Sequence, residues 1–245
     1  MDPARQRDIS DTDPAINAAS AGVISNVGSA IESKTSKSLP VVELTPSIYT
    51  QWIKPAADYT AALIAVLVFA IPMLIIAGVV LMSMGRPILF RQRRVGLHGQ
   101  VFEVLKFRTM NADRRQNSVQ VLRDHRVNHK SDLDPRHTPV GQFLRRFSLD
   151  ELPQLINVLK GDMSVVGPRP ELESVVSRHY SENLHRRHLV RPGLTGLWQI
   201  SARGTGPMHQ NGQWDLEYVR QISWQTDLKI VCKTPFAMFG RNRGH

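Results

Sequence analysis

An uncharged run of 22 residues from Ala61 to Met82 constrains the fold of this chain more than any other segment. A helix rises about 1.5 Å per residue, so this run is long enough to cross the ~30 Å hydrocarbon core of a bilayer. Pro72 lies near its middle, where it removes a backbone hydrogen bond and bends the helix. Two topologies follow: a bent helix that spans the membrane, or a helical hairpin that enters one leaflet and returns.

Charged residues flank this run unevenly. Four arginines follow it: Arg86, Arg91, Arg93 and Arg94. By the positive-inside rule, these arginines place the C-terminal side of the run in the cytoplasm. Lys54 and Asp58 precede the run, and in the hairpin topology both stay near the cytoplasmic headgroups, where the lysine is able to bind a lipid phosphate. A snorkelling lysine that only flanks the membrane is an equally good interpretation of Lys54.

The composition limits the class of partner. The formal net charge is +10, which favours acidic partners: nucleic acid, an anionic membrane surface or a phosphorylated substrate. The composition of residues 1–50 predicts a disordered tail, because the segment contains too little apolar surface to form a core. A basic tail is predicted for residues 239–245. The only cysteine, Cys232, excludes an internal disulfide, and its apolar neighbours predict a buried thiol.

A short strand with a basic end follows the membrane element. Apolar and polar side chains alternate over residues 101–107, which predicts a strand, and the glycines of residues 96–99 predict a turn before it. Lys106, Arg108 and Thr109 then bring two cations and a hydroxyl together at the end of the strand. Such a group suits a diphosphate.

Two adjacent acids mark the central stretch, residues 143–170. Apolar residues recur there at helical spacing, and glycines and prolines end the helix in the second half of the stretch. Asp150 and Glu151 lie at the start of this predicted helix. Unpaired backbone N–H groups in a first helical turn suit an anion such as phosphate.

The start of this helix has two alternatives. Ser148 as the first residue gives a capping box, but it puts Pro153 inside the helix, where the proline ring clashes. Asp150 as N-cap puts Pro153 in the first turn, where its missing N–H costs nothing. We therefore prefer the start at Asp150.

Several motifs, in this order and at this spacing, resemble one known family. They are FRQRRVG at 90–96, KFRTM at 106–110, DPR at 134–136, LRRFSLDELPQLINVLKGDMSVVGPRP at 144–170, RPGLTGLWQISAR at 191–203, DLEYV at 215–219 and DLKI at 227–230. Over residues 52–238 the chain resembles the bacterial sugar transferases, in the short form: monotopic polyprenyl-phosphate hexose-1-phosphate transferases of exopolysaccharide synthesis. The length of the central motif makes this resemblance specific.

The resemblance implies a reaction and a set of site residues. A UDP-sugar, expected to carry galactose or glucose, gives its hexose-1-phosphate to undecaprenyl phosphate and releases UMP, with Mg²⁺ as cofactor. Asp150 is then the nucleophile that forms an aspartyl-phosphosugar intermediate, and Glu151 assists by binding or placing Mg²⁺, with both acids as candidate ligands of the ion. The candidate residues for binding phosphate or nucleotide are Arg145, Arg169, Lys106, Arg108, Arg136 and Arg203.

The resemblance also implies an architecture. We expect an α+β, mainly helical monotopic membrane protein with a few short strands. Its membrane helix, residues 52–84, is then a re-entrant hairpin bent at Pro72, and its catalytic domain covers residues 85–238. The expected location is the inner membrane, with the catalytic domain on the cytoplasmic face. The expected partners are the bilayer, the two substrates and downstream glycosyltransferases, and no nucleic acid.

A different class of function is the main alternative. The same basic surface would serve a membrane-anchored, non-catalytic adaptor that binds acidic lipid or nucleic acid. A degenerate family member that scaffolds a polysaccharide complex is a third hypothesis, which the intact pair of Asp150 and Glu151 disfavours. Asp215 and Asp227, in the last motifs, are further candidates for the site, although helix capping is the simpler interpretation of both.

Overall fold

The computed structural model describes residues 46–111, 138–201 and 212–239. The predicted tails lie almost wholly outside these ranges, as do the predicted phosphate-binding residues Arg136 and Arg203. Most of the described chain is helical, and its strands are short. This confirms the prediction of a mainly helical chain with a few short strands.

One long helix precedes a series of short elements. The helices are α1 (Lys54–Met84), α2 (Pro139–Arg146), α3 (Gln154–Leu159), α4 (Glu173–His179), α5 (Glu182–His185), α6 (Leu197–Ser201), α7 (Gln213–Arg220) and α8 (Trp224–Phe239). The strands are β1 (Leu89–Val95), β2 (Val101–Phe107), β3 (Ser164–Val166) and β4 (Gly193–Thr195). Short π- or 3₁₀-helical turns occupy Tyr49–Ile53, Leu97–Gly99, Leu149–Glu151 and Arg186–Leu189.

Helix α1 contains the whole apolar run, with Pro72 inside it. It is long and apolar enough to cross a membrane, with a mean hydropathy of 3.0 in its apolar window. One face packs on the rest of the chain, where Ala62 and Val80 are fully buried. On another face Leu67 and Leu74 are 69% and 72% exposed. Exposed apolar surface of this extent marks a contact with lipid or with another protein.

Strands β1 and β2 form an antiparallel hairpin with Leu89 opposite Phe107. The turn between them ends at Gly99, whose φ of 78° is a conformation that glycine adopts at little cost. The predicted strand at residues 101–107 and the turn before it are confirmed. Strands β3 and β4 pair in parallel as a second, smaller sheet.

The central helix begins later than predicted. Ser148 has a left-handed backbone, with φ of 54°, and Leu149–Glu151 forms a 3₁₀ turn after it. Helix α3 starts only at Gln154, with Pro153 at the N-cap. The predicted N-cap at Asp150 is therefore wrong, because the left-handed residue sets the two acids in a tight turn of their own. Pro153 still lies where its missing N–H costs no helical hydrogen bond.

The last helix, α8, has one face directed outward. Ile230 is 1% exposed, whereas the neighbouring Val231 is 42% exposed and Cys232 is also exposed. The prediction of a buried Cys232 thiol is wrong, because an apolar run on a two-sided helix places only part of its residues in the core. The exposed apolar surface of α8 also includes Trp224, Leu228 and Phe236.

A buried amide joins helix α3 to strand β2. Asn157, which is 1% exposed, accepts a hydrogen bond from the Leu105 N–H at 3.0 Å and donates to the Glu103 carbonyl at 2.7 Å. It satisfies two backbone groups of β2 as a neighbouring strand would. The contact fixes α3, and with it the acidic turn before α3, against the hairpin.

Asn157→Ala should destabilise the protein, because it leaves the Leu105 N–H and the Glu103 carbonyl without their partner. A buried polar group left unpaired costs about 1–3 kcal/mol, so we expect the melting temperature in detergent to fall by roughly 5 °C or more. Thermal unfolding followed by circular dichroism measures this. Gln100→Ala, at an exposed turn position, is the control, and equal melting temperatures for Asn157→Ala and wild type would contradict the assigned role.

Candidate active site

A carboxylate held by two cations marks the candidate active site. Glu151, in the 3₁₀ turn before α3, has its Oε1 2.7 Å from Lys106 Nζ near the end of β2. The same oxygen is 3.5 Å from Arg169 Nη2, in the loop after β3. All three side chains line one shallow crevice. Partly exposed ion pairs of this kind are worth about 0–1 kcal/mol, so an incoming phosphate can compete for these cations at little cost.

Arg94 adds a third cation to the crevice. Its Nη1 donates to the Pro170 carbonyl at 3.2 Å and lies 3.4 Å from Glu171 Oε1. Burial lowers the pKa of Arg94 to about 10, Glu171 opposes this decrease, and Arg169 adds to it. The group stays cationic at neutral pH. By its sequence position Arg94 belongs only to the basic flank of the apolar run, because no local pattern indicates its contact with a loop so distant in the chain.

Asp150 lies beside Glu151 in the same turn and is 8% exposed. Arg145, at the end of α2, donates from Nε to the Thr109 hydroxyl at 2.9 Å. This bond connects the helix before the acidic turn to the segment after β2. The turn thus presents one accessible acid, Glu151, and one nearly buried acid, Asp150.

Arg108 has different partners from Lys106. Its guanidinium donates to the backbone carbonyls of Met84, of Gly85 at 2.9 Å and of Arg86 at 3.0 Å, where α1 ends. Carbonyls at a helix C-terminus have no helical donor, so Arg108 caps α1. The cations of the predicted diphosphate clamp are therefore divided, since Lys106 faces the crevice and Arg108 holds the membrane helix.

At the other end of α1, Lys54 forms a buried ion pair. Its Nζ is 2.7 Å from Asp227 Oδ2 and 3.6 Å from Asp58 Oδ2, and the residue is 8% exposed. This burial differs from the predicted contact with a lipid phosphate. Asp58 also accepts hydrogen bonds from the Ser164 hydroxyl at 2.6 Å and the Val165 N–H at 3.2 Å. Lys54 and Asp58, the two charges nearest to the start of the apolar run, are thus paired within the protein.

Asp227 contacts Lys54 and two tyrosines, so its role is not limited to the predicted helix cap. Its Oδ1 accepts from the Tyr218 hydroxyl at 2.8 Å, and its Oδ2 accepts from the Tyr49 hydroxyl at 2.6 Å. Burial, together with the Asp227 charge, raises the pKa of Tyr218 well above its usual range, so the phenol keeps its proton and donates it. No sequence pattern indicates this ion pair, because Lys54 and Asp227 are 173 residues apart.

A second buried ion pair supports the loop that carries Arg169. Arg187 and Asp215 are 1% and 0% exposed, with 2.6 Å between Nη2 and Oδ2. The same Nη2 donates to the Arg169 backbone carbonyl at 2.5 Å. Burial raises the pKa of Asp215 to about 6, an effect that Arg187 opposes. The pair therefore fixes the backbone that places Arg169 in the crevice.

Glycines let this loop pack closely on β4. A Cβ atom at Gly193 would lie 2.1 Å from the Gly167 nitrogen, and a Cβ atom at Gly167 would lie 2.4 Å from the Arg191 carbonyl oxygen. No side chain fits where two backbones approach this closely. Both glycines therefore belong to the scaffold of the crevice.

The donors for a metal ion are few. Over the described ranges, no three His, Cys, Asp or Glu side chains form a cluster that could hold a metal ion. Asp150 and Glu151 supply carboxylate oxygens, and Mg²⁺ is commonly held by one or two carboxylates together with substrate phosphates. These two residues therefore fit Mg²⁺ when a substrate diphosphate completes the coordination.

Comparison with known proteins finds a family match over most of the chain. The family model described as bacterial sugar transferase matches residues 49–241. This range includes α1, the acidic turn and the network around Asp227. The match confirms the resemblance drawn from the motifs.

Three relatives give the match a biochemical context. The exopolysaccharide production protein ExoY of Rhizobium meliloti (strain 1021) is 41% identical over 188 residues, 74% of this chain and 83% of the relative. The UDP-glucose:undecaprenyl-phosphate glucose-1-phosphate transferase of Escherichia coli (strain K12) is 41% identical over 211 residues, 82% of this chain and 44% of the relative. The undecaprenyl-phosphate galactose phosphotransferase of Salmonella typhimurium is 37% identical over 190 residues, 73% of this chain and 39% of the relative.

We expect Arg187→Met to destabilise the protein strongly. The substitution leaves the Asp215 carboxylate unpaired at 0% exposure, and breaking a buried ion pair in this way costs about 3–5 kcal/mol. The melting temperature in detergent should fall by roughly 6 °C or more. Arg178→Met, at an exposed position, is the matched control and should change it little.

The size of this deficit should depend on pH. Without Arg187 the pKa of Asp215 rises further above its unfolded value, so the folded state keeps a proton that the unfolded chain loses. The stability of the variant therefore falls as the pH rises through the folded pKa. Melting curves at about pH 5 and about pH 8 should show the larger gap from wild type at the higher pH. A gap that shrinks towards the higher pH would contradict the pairing.

Proposed function

We propose that this chain, which belongs to the bacterial sugar transferase family, transfers a hexose-1-phosphate from a UDP-sugar to undecaprenyl phosphate and releases UMP. Family membership supports a transferase in exopolysaccharide assembly, and two of the relatives are named for undecaprenyl phosphate. The hexose proposed for this chain is glucose or galactose, the sugars in those two names.

The observation that carries this proposal is a pair of adjacent acids in a turn beside a cationic crevice. A carboxylate and a diphosphate repel each other unless cations first neutralise the substrate. Lys106, Arg169 and Arg94 line the crevice together with Glu151. They supply the charge that lets the neighbouring Asp150 approach a phosphorus atom.

Asp150 acts in two displacements. Its carboxylate oxygen attacks the β-phosphorus of the UDP-sugar, the bond from that phosphorus to the bridging oxygen breaks, and UMP leaves with the electron pair. A phosphate oxygen of undecaprenyl phosphate then attacks the aspartyl phosphate. The bond to Asp150 breaks, which restores the carboxylate and gives the lipid diphosphate sugar. Because the substrates react one after the other at one site, they need not bind together.

Mg²⁺ belongs to this proposal. Asp150 and Glu151 would hold the ion together with the substrate, and the bound ion would neutralise part of the diphosphate charge. Lys106 and Arg169 fix the Glu151 carboxylate in the crevice. The near burial of Asp150 keeps bulk water away from the nucleophile.

The proposed topology is monotopic, with α1 re-entrant and the catalytic domain on the cytoplasmic face of the inner membrane. Its support is that one domain holds both ends of α1: Lys54 pairs with Asp227, and Arg108 caps the C-terminal end. A spanning helix separates its ends by the ~30 Å thickness of the hydrocarbon core. A bend at Pro72 would let the helix enter one leaflet and return.

Labelled UDP-sugar tests the nucleophile. Membranes with the wild-type protein, supplied with Mg²⁺ and with UDP-glucose or UDP-galactose labelled in the β-phosphate but with no acceptor, should retain label on the protein. Asp150→Asn should retain none and should lose turnover by about three orders of magnitude or more. EDTA should abolish the labelling of wild type.

A second carboxylate substitution controls for lost negative charge. Glu173→Gln changes an exposed acid outside the crevice lining and should label like wild type. Lipid-linked product that forms without any label on the protein would contradict the two displacements. An absence of product with either donor would contradict the transferase and favour the non-catalytic adaptor.

Cysteine labelling tests the topology. Cys232→Ser removes the exposed native thiol, and Ser47→Cys or Ser83→Cys then probes one end of α1 at a time. We expect a membrane-impermeant maleimide to label both positions in inside-out vesicles and neither in intact spheroplasts. Leu74→Cys, in the middle of the helix, should resist the reagent from both sides. Labelling of the two ends from opposite sides would establish a spanning helix.

A further inference from the structure

An apolar groove runs between the middle of α1 and the catalytic domain. It is open along one side, and its volume of about 740 Å³ lies within the ~300–1,000 Å³ of typical ligand pockets. Its two walls include Ala70, Leu74 and Ala77 on α1 and Leu89, Phe107 and Ile156 on the domain.

Strand β2 and helix α3 lie between this groove and the candidate active site and contribute residues to both. Consecutive side chains of a strand point to opposite faces, so Lys106 lines the crevice while Phe107 lines the groove. The start of α3 repeats this relation, because Glu151 lines the crevice and Pro153 lines the groove. A ligand in the groove therefore lies against the two elements that position the acids.

One cation stands beside this apolar surface. Arg86 lines the groove, and the other lining residues are apolar in the part of the chain that the structure describes. Its backbone is fixed by the hydrogen bond from Arg108 to its carbonyl, and its side chain is exposed. A sugar or nucleotide needs several polar partners, and the described lining residues supply one, Arg86. One guanidinium beside an apolar channel instead matches a ligand with one anionic head and a long apolar chain.

We propose that this groove binds the isoprenoid chain of the polyprenyl phosphate acceptor, with Arg86 pairing with the phosphate. The inference rests on the proposed function and adds to it a site for the acceptor's chain. Because the groove is open along one side, a long chain can enter it sideways from the bilayer. The isoprene units nearest to the phosphate lie beside Arg86, whereas Ala70 lies about 20 Å back along α1 and contacts only units farther down a long chain. The remainder of the chain stays in lipid.

Filling the groove tests the site for the chain. Ala70→Trp puts a large side chain into it, whereas Ile71→Trp adds the same ring at a neighbouring position that is 71% exposed and outside the lining. We expect Ala70→Trp to raise KM for undecaprenyl phosphate about 10-fold, because the chain loses apolar contact. KM for a phosphate with two isoprene units should stay nearly unchanged. Ile71→Trp should match wild type with both acceptors.

The site for the phosphate is tested separately. Arg86→Gln should raise KM about 10-fold for the long and the short acceptor alike, because both carry the same head and lose the same charge-assisted contact. Arg91→Gln is the matched control, since Arg91 lies on β1 in an exposed ion pair with Glu103. It should leave KM for both acceptors close to wild type.

The outcomes separate this inference from the proposed function. Labelling of the protein by UDP-sugar without acceptor must persist in Ala70→Trp, and Leu74→Trp in the same groove replaces that variant if it fails to fold. If Ala70→Trp leaves KM for undecaprenyl phosphate unchanged, or raises KM equally for the long and the short acceptor, the groove is not the site of the chain. Turnover by the wild-type protein would still support the transferase. Phosphatidylglycerol that competes with the acceptor in the wild-type protein but not in Ala70→Trp would identify a phospholipid as the occupant of the groove. That result would also contradict the proposed site for the isoprenoid chain. If the wild-type protein shows no turnover, the result contradicts the proposed function and leaves the site for the chain without a reaction.

Discussion

A buried ion pair fixes the long apolar helix α1 to the rest of the protein, and the position of the helix depends on this contact. Lys54 and Asp227 are both 8% exposed, with 2.7 Å between their charged atoms. Separating them would leave a charge buried without a partner, at a cost of about 3–5 kcal/mol. Arg108 holds the other end of the helix by its carbonyls. A long apolar helix is thus held at both ends by the domain that carries the crevice.

The charged groups divide into two kinds that differ in burial. Lys54 with Asp227, and Arg187 with Asp215, are buried pairs that hold elements together. The contacts around Glu151 are more exposed, so their net energy is small and a phosphate can replace them. The buried ion pairs thus form a rigid frame, and this frame presents exchangeable cations beside the nearly buried Asp150 carboxylate.

Features set by local pattern could be predicted from the sequence, and features set by distant contacts could not. The long apolar run predicted the long helix α1, and the mixture of apolar and polar residues after a glycine turn predicted strand β2. The start of α3 at Gln154 was missed because residue type does not indicate the left-handed backbone of Ser148. The partners of Arg108 and Asp227 were missed for another reason: periodicity shows which face of an element is buried but not which distant residue meets it. The position of Arg94 in the crevice could not be predicted for the same reason, because its contacts are with Pro170 and Glu171, far along the chain.

Isotope exchange tests the central claim, that a carboxylate in this crevice takes up the phosphosugar before any lipid arrives. The enzyme is incubated with Mg²⁺, UDP-sugar and radiolabelled UMP, without undecaprenyl phosphate, and the UDP-sugar is then recovered. An enzyme that forms an aspartyl-phosphosugar intermediate and releases UMP runs that step backwards, so label enters UDP-sugar in wild type but not in Asp150→Asn. Full transfer on addition of the lipid, with no exchange in its absence, would contradict the account.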